Sequence, residues 1–538
     1  MPCRTHGATG QFFATSFLTA FLSTLLATLK QHCEGFDTPP KPEFLDRHDL
    51  HRPRQCGGSG AREVFLWLGD YAETILPKAR PCLRSTEDQE CLDQIEAVRA
   101  LSFIERLSSG QHLGFSEQGE APVHLAAELS ALDKLMNTSW WHRVWTIQEA
   151  ILPPKATVIV GWLQFPWNTL AAAAYNFFRH HALECCFVRV EFGVNLESFY
   201  QKVDAIQYYR TAYHEGTRLN LVDLLHRFRH RLCTDPRDKI FGLLGLVAGD
   251  SPYHALRADY TLSTETSYRE AFIHLLRSGG SLDILARPEE VGRTLDLPTW
   301  MPDWTAKIDQ LEANTSRQVI GCLRIYNTSL STLPEILFPD LITTLNVKGL
   351  LFNEITTLAE PYRNVLEKNP ESEDASIDYL ETLLDTKGRE SQSYVGGGNR
   401  QHALSCLVTM DQIRVGSDNF LRGHYRRATL EDHGKHQSTF ALREISKALF
   451  SFVIHFRVFI SKLGYFGLGP KNMRIGDTVH ILLGGSVPFV LRRTTQETAT
   501  PAQETSYEYV GNCYVQGIMD GEALSNLAPS KLTWVSLV

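Results

Sequence analysis

The sequence has no CxxC pair and no zinc-finger spacing among its 11 cysteines. That speaks against a disulfide framework and against a structural zinc site, and the cysteines read as reduced cytosolic thiols. Cys185 and Cys186 closely follow His180 and His181, but adjacent residues of one helix cannot all point at one ion, so no metal site is expected. There is no excess of positive charge. Fifty-three Lys and Arg face 61 Asp and Glu, a net charge of −8, which argues against a nucleic-acid partner. No G-x-G-x-x-G, Walker motif or nucleophile elbow occurs. Gly396 to Gly398 lack the strand-to-helix context of a dinucleotide site and read as a flexible loop. No resident cofactor is implied.

What is present is an ordinary globular composition, 43% hydrophobic and 21% charged over 538 residues. That length corresponds to roughly three to four domain-sized units. Residues 1 to 61 differ from the rest. Gln11 to Leu29 carries no charge and lies between Arg4 and Lys30, but holds six Ser and Thr. It reads as a short membrane span, as a signal-peptide core without a clear cleavage site, or as a wrongly delimited start of the chain. Residues 34 to 61 are rich in Pro, Gly, Arg and His and read as a linker.

The stretch from Trp140 to Leu152, WWHRVWTIQEAIL, stands out. Trp141, Val144, Trp145, Gln148, Ile151 and Leu152 recur at helical spacing, so an amphipathic helix is expected. Asn137, Thr138 and Ser139 offer capping oxygens, and Pro153 and Pro154 end it. Gln148 lies within the apolar face, where its amide must find partners, and Glu149 lies at the edge.

Other segments follow in order. Glu63 to Gly69 and Thr157 to Gly161 read as strands; Cys91 to Leu107, Val123 to Met136 and Trp167 to Leu183 read as helices. Leu221, Leu224, Leu225, Phe228 and Leu232 form a helical stripe. Arg227, Arg229, His230 and Arg231 lie mostly opposite it, a basic side that could contact a phosphate but reads first as a solvated face. In CTDPRDKIFGLLGL, Cys233 to Leu246, Thr234 or Asp235 can cap a helix with Pro236 in its first turn. Asp238 there favours the helix dipole or pairs with a cation. Tyr268 to Ser278 reads as another helix, and LPTWMPDW, Leu297 to Trp304, as an extended packed clasp. Leu345 to Ile355, interrupted by a glycine, reads as a strand pair. Short β-rich runs after residue 461, separated by Gly-Asp, Gly-Gly and Asp-Gly turns, indicate a small antiparallel barrel or meander. Asp520 and Glu522 read there as turn chemistry.

Several of these blocks resemble the fungal heterokaryon incompatibility (HET) domain proteins. Arg143, Trp145, Thr146, Gln148 and Glu149 match an R-x-W-T-x-Q-E block, and Trp67, Leu68 and Gly69 a W-L-G strand. Asp235, Arg237 and Asp238 match D-P-R-D-K-x-x-x-L-L-G-L; Asp259, Tyr260 and Tyr268 match a D-Y block; Trp300, Asp303 and Trp304 match L-P-S-W-x-P-D-W. Gly476 and Asp477, Pro488 with Leu491 and Arg492, and Tyr514 to Glu522 match the C-terminal elements, with Asp520 and Glu522 in the last. The family's opening S-Y-x-W-G and W-I-D-x-x-C-I-N-Q blocks do not occur in residues 1 to 62, so the resemblance starts partway through the domain.

The resemblance implies an α/β fold. It would comprise an incomplete TIR- or flavodoxin-like parallel-sheet HET core, a helical region and a small C-terminal antiparallel β domain. The expected divisions are an atypical N-terminal segment at 1–61, a partial HET domain at 62–185, a helical region at 186–310, a mixed region at 311–460 and the β domain at 461–538. It also implies a role in nonself recognition and programmed cell death. By comparison with NAD-cleaving TIR domains, Glu149 is the catalytic candidate and NAD a possible substrate. The alternative is a non-catalytic or degenerate interaction protein. Protein partners or self-association are expected in the cytoplasm, with membrane contact only through residues 11–29.

Overall fold

A computed structural model describes residues 62–68, 86–113, 124–182, 190–247, 256–287, 290, 292–306, 325–338, 343–360, 383–386, 388–415, 424–429, 456–494, 505–525 and 527–538. Residues 11–29, the 34–61 linker, Gly69, Cys185 and Cys186 lie outside that set. Among the described residues no helix is long and apolar enough to cross a membrane. No group of three or more metal-ligating side chains converges among them.

The first region is built on one parallel strand pair. β1 (Glu63–Trp67) runs beside β2 (Lys155–Val160), with Phe65 opposite Thr157. β3 (Leu163–Pro166) returns antiparallel on β2, so this three-stranded sheet is mixed rather than wholly parallel. Leu66 and Leu68 are buried on one face of β1. Phe65 and Trp67, on the opposite face, are 59% and 42% exposed. The alternation is the period-two geometry of a strand covered on one side.

Helices cover the buried face. They are α1 (Thr86–Ser108), α2 (Leu125–Met136), α4 (Trp167–Ala182) and α5 (Val190–His214), with α3 (Thr146–Ile151) between strand and bundle. α1 packs on α2 and α4, while α5 packs on α2, α3 and α4. Trp140, Trp141 and Trp167 form a buried aromatic cluster with ring centroids 4.9 to 6.5 Å apart. Such large apolar faces dominate core energetics.

α6 (Leu221–Phe228) is capped by Asn220, whose side chain accepts from the Val222 N–H at 2.8 Å. α7 (Asp238–Leu244) and α8 (Thr264–Gly279) follow, the latter capped by Ser263. The DPRD helix therefore starts at Asp238. Asp235 does not cap it; its side chain accepts the Arg237 N–H at 3.0 Å in an Asx turn.

The C-terminal half is a nine-stranded sheet curled into a barrel. β5 (Leu345–Leu358) is one continuous strand of 14 residues and not a strand pair. Its glycine is no turn: a Cβ on Gly349 would lie 2.6 Å from the Ile481 carbonyl oxygen, so glycine admits the neighbouring strand. That neighbour is β10 (Thr478–Leu482). β10 also pairs with β11 (Phe489–Arg493), β11 with β12 (Ser506–Asn512), β12 with β14 (Thr533–Leu537), and β14 returns to β5. The ring of five strands is closed, which removes their free edges. All its pairs are antiparallel except β12–β14. β4 (Ile336–Leu337) pairs with β5, and β8 (Phe456–Ser461), β9 (Phe466–Pro470) and β13 (Tyr514–Val515) extend the sheet from β5, so the 460/461 division falls inside β8. β6 (Gln412–Val415) and β7 (His424–Arg427) form a separate hairpin.

Gly396 to Gly398 is a packed turn and not a flexible loop. The Tyr394 N–H donates to the Gly398 carbonyl at 2.9 Å and the Tyr394 hydroxyl to the Gln516 carbonyl at 3.0 Å. A Cβ on Gly396 would lie 2.8 Å from that same carbonyl oxygen.

Candidate functional site

The Trp140 to Leu152 stretch is not one helix. A 3-10 turn, Ser139–His142, is followed by Arg143 in extended conformation (φ −86°, ψ 139°), and α3 begins at Thr146. The interruption has a partner: Arg143 bridges Leu232 in parallel, and the Val144 N–H donates to the Leu232 carbonyl at 2.9 Å. The expected caps are not used. The Thr138 hydroxyl donates to the Leu135 carbonyl at 3.0 Å, and the Thr146 hydroxyl closes the turn by donating to the carbonyls of Arg143 (2.7 Å) and Trp140 (3.0 Å).

α3 interlocks with α7. The Gln148 amide donates to the Gly242 carbonyl at 2.8 Å, and the Trp145 indole N–H donates to the Asp238 carboxylate at 2.9 Å. The Tyr260 hydroxyl donates to the other Asp238 oxygen at 2.6 Å. Asp238 thus accepts from an indole and a phenol rather than from a cation. Burial, with the Asp238 carboxylate beside it, pushes the Tyr260 hydroxyl pKa up. A Cβ on Gly242 would stand 3.2 Å from Val144, and one on Gly245 would stand 2.4 Å from Gln148 Oε1. The two glycines of the DPRD block therefore let the W-T-x-Q-E segment approach.

Below this lock, Arg237 pairs with Asp235 at 2.6 Å and donates to the carbonyls of Tyr260 (2.7 Å) and Leu262 (2.6 Å). The Arg237 hydrogen bonds hold the Asp235 carboxyl below its ordinary value. The Tyr268 hydroxyl donates to the Pro236 carbonyl at 2.6 Å, and its ring meets Trp304 edge-on at 4.9 Å.

The arginines expected on a solvated face are buried. Arg227, Arg229 and Arg231 are 1%, 4% and 1% exposed. Arg227 donates to the Gln201 carbonyl at 3.3 Å, Arg229 to the Asp303 carbonyl at 2.6 Å, and Arg231 to the Trp141 carbonyl. Lys202 reaches the Met136 carbonyl (2.8 Å) at the end of α2, where a cation meets the negative helix terminus. Burial pulls Arg231 down to about 9, and Lys202 and Lys239 to about 8.

The LPTWMPDW block is held by charges from outside it. Buried Glu290 pairs with Arg229 (2.6 Å), Arg293 (2.9 Å) and Arg287 (3.2 Å) and accepts the Asp303 N–H at 3.0 Å. Arg287 donates to the Trp300 carbonyl at 2.7 Å. Asp303 accepts backbone N–H groups from Thr305 (2.8 Å), Thr294 (2.9 Å) and Leu295 (3.2 Å). Burial pushes its carboxyl up, but the Thr305 hydroxyl and these donors hold it below its ordinary value. The Trp300 indole donates to the Thr343 carbonyl at 3.2 Å. The sequence gives no sign of Glu290, which stands in no motif; only its meeting with distant Arg229, between the nearby Arg287 and Arg293, marks it.

At the barrel, Gly476 takes the left-handed turn conformation (φ 94°), and Asp477 holds Arg492 through two contacts of 2.9 Å. Asp520 and Glu522 do not face each other as an acid–base pair. Asp520 binds Arg427 at 2.9 Å while Glu522 accepts the Asp520 N–H at 2.9 Å.

Of the W-T-x-Q-E block, Arg143 and Glu149 alone are exposed. Neither side chain makes a full hydrogen bond or ion pair among the described residues. The Glu149 carboxyl nonetheless sits in a crowded recess. Burial raises its pKa, against the lowering effects of the Arg143 cation and the Trp140 indole N–H turned toward it. That buried indole nitrogen completes no hydrogen bond of full geometry. Trp67 stands on β1, whose strand contacts α3. The structure thus joins Arg143, Trp145, Gln148 and Asp238 near Glu149, while Trp300, Asp303 and Trp304 belong to the clasp and Asp477, Asp520 and Glu522 to the barrel.

Residues 422–529 match the family model of the Het-6 beta-barrel domain. The chain is 23% identical over 552 aligned positions to Heterokaryon incompatibility protein 6, OR allele, of Neurospora crassa, covering 86% of this chain and 77% of that protein. No solved structure matches. Together with the motif blocks, the two matches support a HET-domain heterokaryon incompatibility protein.

Proposed function

We propose that this heterokaryon incompatibility protein is an effector of fungal nonself recognition and programmed cell death, with Glu149 as its reacting carboxylate and NAD as its substrate. The observation that carries the reading is the division of labour within one block. Trp145 and Gln148 are committed to α7, whereas the neighbouring Glu149 stays open beside Arg143, with its pKa raised. A carboxylate so placed can stabilise the oxocarbenium-like ribosyl centre as nicotinamide departs. Water then adds to the ribosyl carbon and releases a proton, giving ADP-ribose. Arg143 supplies positive charge for the diphosphate. The likeness to a TIR core belongs to this proposal. So does action in the cytoplasm without a resident cofactor.

The test is induced expression in a fungal host with NAD and viability followed together. Loss of both in the native chain, and of neither in Glu149→Gln at equal protein level, is the expected result. Stable NAD with cell death would overturn the enzymatic reading.

A second reading is a non-catalytic protein acting by self-association or through a protein partner. The exposed aromatic face of β1, Phe65 and Trp67, favours it. Death that persists in Glu149→Gln but disappears in Phe65→Ser/Trp67→Ser would select it.

A further inference from the structure

Motif residues that the Glu149 reading leaves unused converge on one cleft between clasp and barrel. It encloses about 190 Å³, and its walls include Glu290, Arg293, Thr299, Arg492, Glu508 and Tyr509. Thr299 comes from the LPTWMPDW block and Arg492 from the P-x-x-L-R block. A cavity of ~150 Å³ holds a benzene ring, so this one suits a small metabolite.

The charges in the cleft are arranged unusually. Arg492 and Glu508 stand opposite each other in the β11–β12 register, where opposite charges ordinarily pair. Arg492 turns away instead, to Asp477 at 2.9 Å and to the Asn472 carbonyl at 2.9 Å. Its Nη1 makes no hydrogen bond among the described residues, and neither does the Glu508 carboxylate. Arg293 likewise commits Nη1 and Nη2 to Glu290 and to the carbonyls of Leu297, Pro298 and Met301. Its Nε is unused among those residues. Arg287, 4.8 Å above the Tyr509 ring, fixes that wall. Two guanidinium groups are therefore held rigid with spare donors, and one carboxylate is left over.

We infer that the cleft binds a free α-amino acid, its carboxylate on Arg492 and Arg293 and its ammonium on Glu508. A zwitterion matches both walls, whereas a ligand of one charge matches only one. The site is separate from Glu149 and stands or falls independently of NAD cleavage.

The experiment is thermal unfolding and calorimetric titration of the full chain with a panel of free amino acids, their N-acetyl forms, acetate and inorganic phosphate. At least one amino acid is expected to raise the unfolding temperature in a concentration-dependent way, as ligands of the native state do. Its N-acetyl form should fail. Glu508→Gln should weaken binding by more than about tenfold, the loss of one charged hydrogen bond, with Glu508→Asp as the check if that variant unfolds early. Binding of no amino acid, equal binding of acetate or phosphate, or unchanged binding by a folded Glu508→Gln chain would each overturn the inference.

Discussion

Gln148 and Gly245 meet so closely that a single added carbon at 245 would sit 2.4 Å from the Gln148 oxygen. Gln148 cannot simply swing away, because its amide is bonded to the Gly242 carbonyl at 2.8 Å. The two sequence blocks fit only as a pair, and the α3–α7 crossing sets where Glu149 stands.

Gly245→Ala should therefore destabilise the fold by about 1–3 kcal/mol through overpacking, despite the better helix propensity of alanine. A lower urea midpoint at constant slope is the expected reading. The double variant Gly245→Ala/Gln148→Ala should recover part of the loss, because the contact is then gone.

Asp238→Ala removes the acceptor for both Trp145 and Tyr260. A loss of about 2–4 kcal/mol follows from two charge-assisted hydrogen bonds. Tyr260→Phe should cost less, about 1 kcal/mol, since Trp145 keeps its partner. Denaturant unfolding of the three chains distinguishes these outcomes.

Glu290→Gln should be among the most destabilising single changes, about 3–5 kcal/mol, because it leaves Arg229 and Arg287 buried without their counter-charge. By contrast, Glu149→Gln is expected within about 0.5 kcal/mol of the native chain, as for exposed positions generally. Comparing the two unfolding curves checks both, and the second result would separate lost activity from lost fold.

Acid should unfold the protein through its buried histidines. Burial, followed by neighbouring cations, lowers His142 to about 4 and His226 and His480 to about 3. The unfolded chain takes up these protons near pH 6.5 and the folded chain does not, so unfolding gains protons between about 6.5 and 4. Stability is expected to be full above that window and to fall as pH drops through it. A thermal midpoint that stays flat from pH 7 to pH 4.5 would refute this. His480→Phe, at a position 1% exposed, should flatten the fall.

Local pattern determined much of this protein. The period of Leu125, Leu129, Leu132 and Met136 marks α2, and the β-branched run Thr157 to Val160 marks β2. The Gly-Asp and Asp-Gly turns mark the barrel strands, because each of these signals is written within a few residues. What only the tertiary structure decided depends on partners far along the chain. Leu232 breaks the tryptophan helix at Arg143; carbonyls of Gln201, Asp303 and Trp141 draw Arg227, Arg229 and Arg231 inside. Gly349 proves to be the seam where β10 closes on β5. A helical period reports which side chains share a face, but not whether a distant backbone group will take the hydrogen bonds that would have continued the helix. Charge reports a residue's preference for water, which a set of well-placed carbonyls can replace. Hence the sequence marked the blocks of the candidate site and, through its resemblance, pointed to Glu149, while packing decided that Arg143 and Glu149 are the members left exposed.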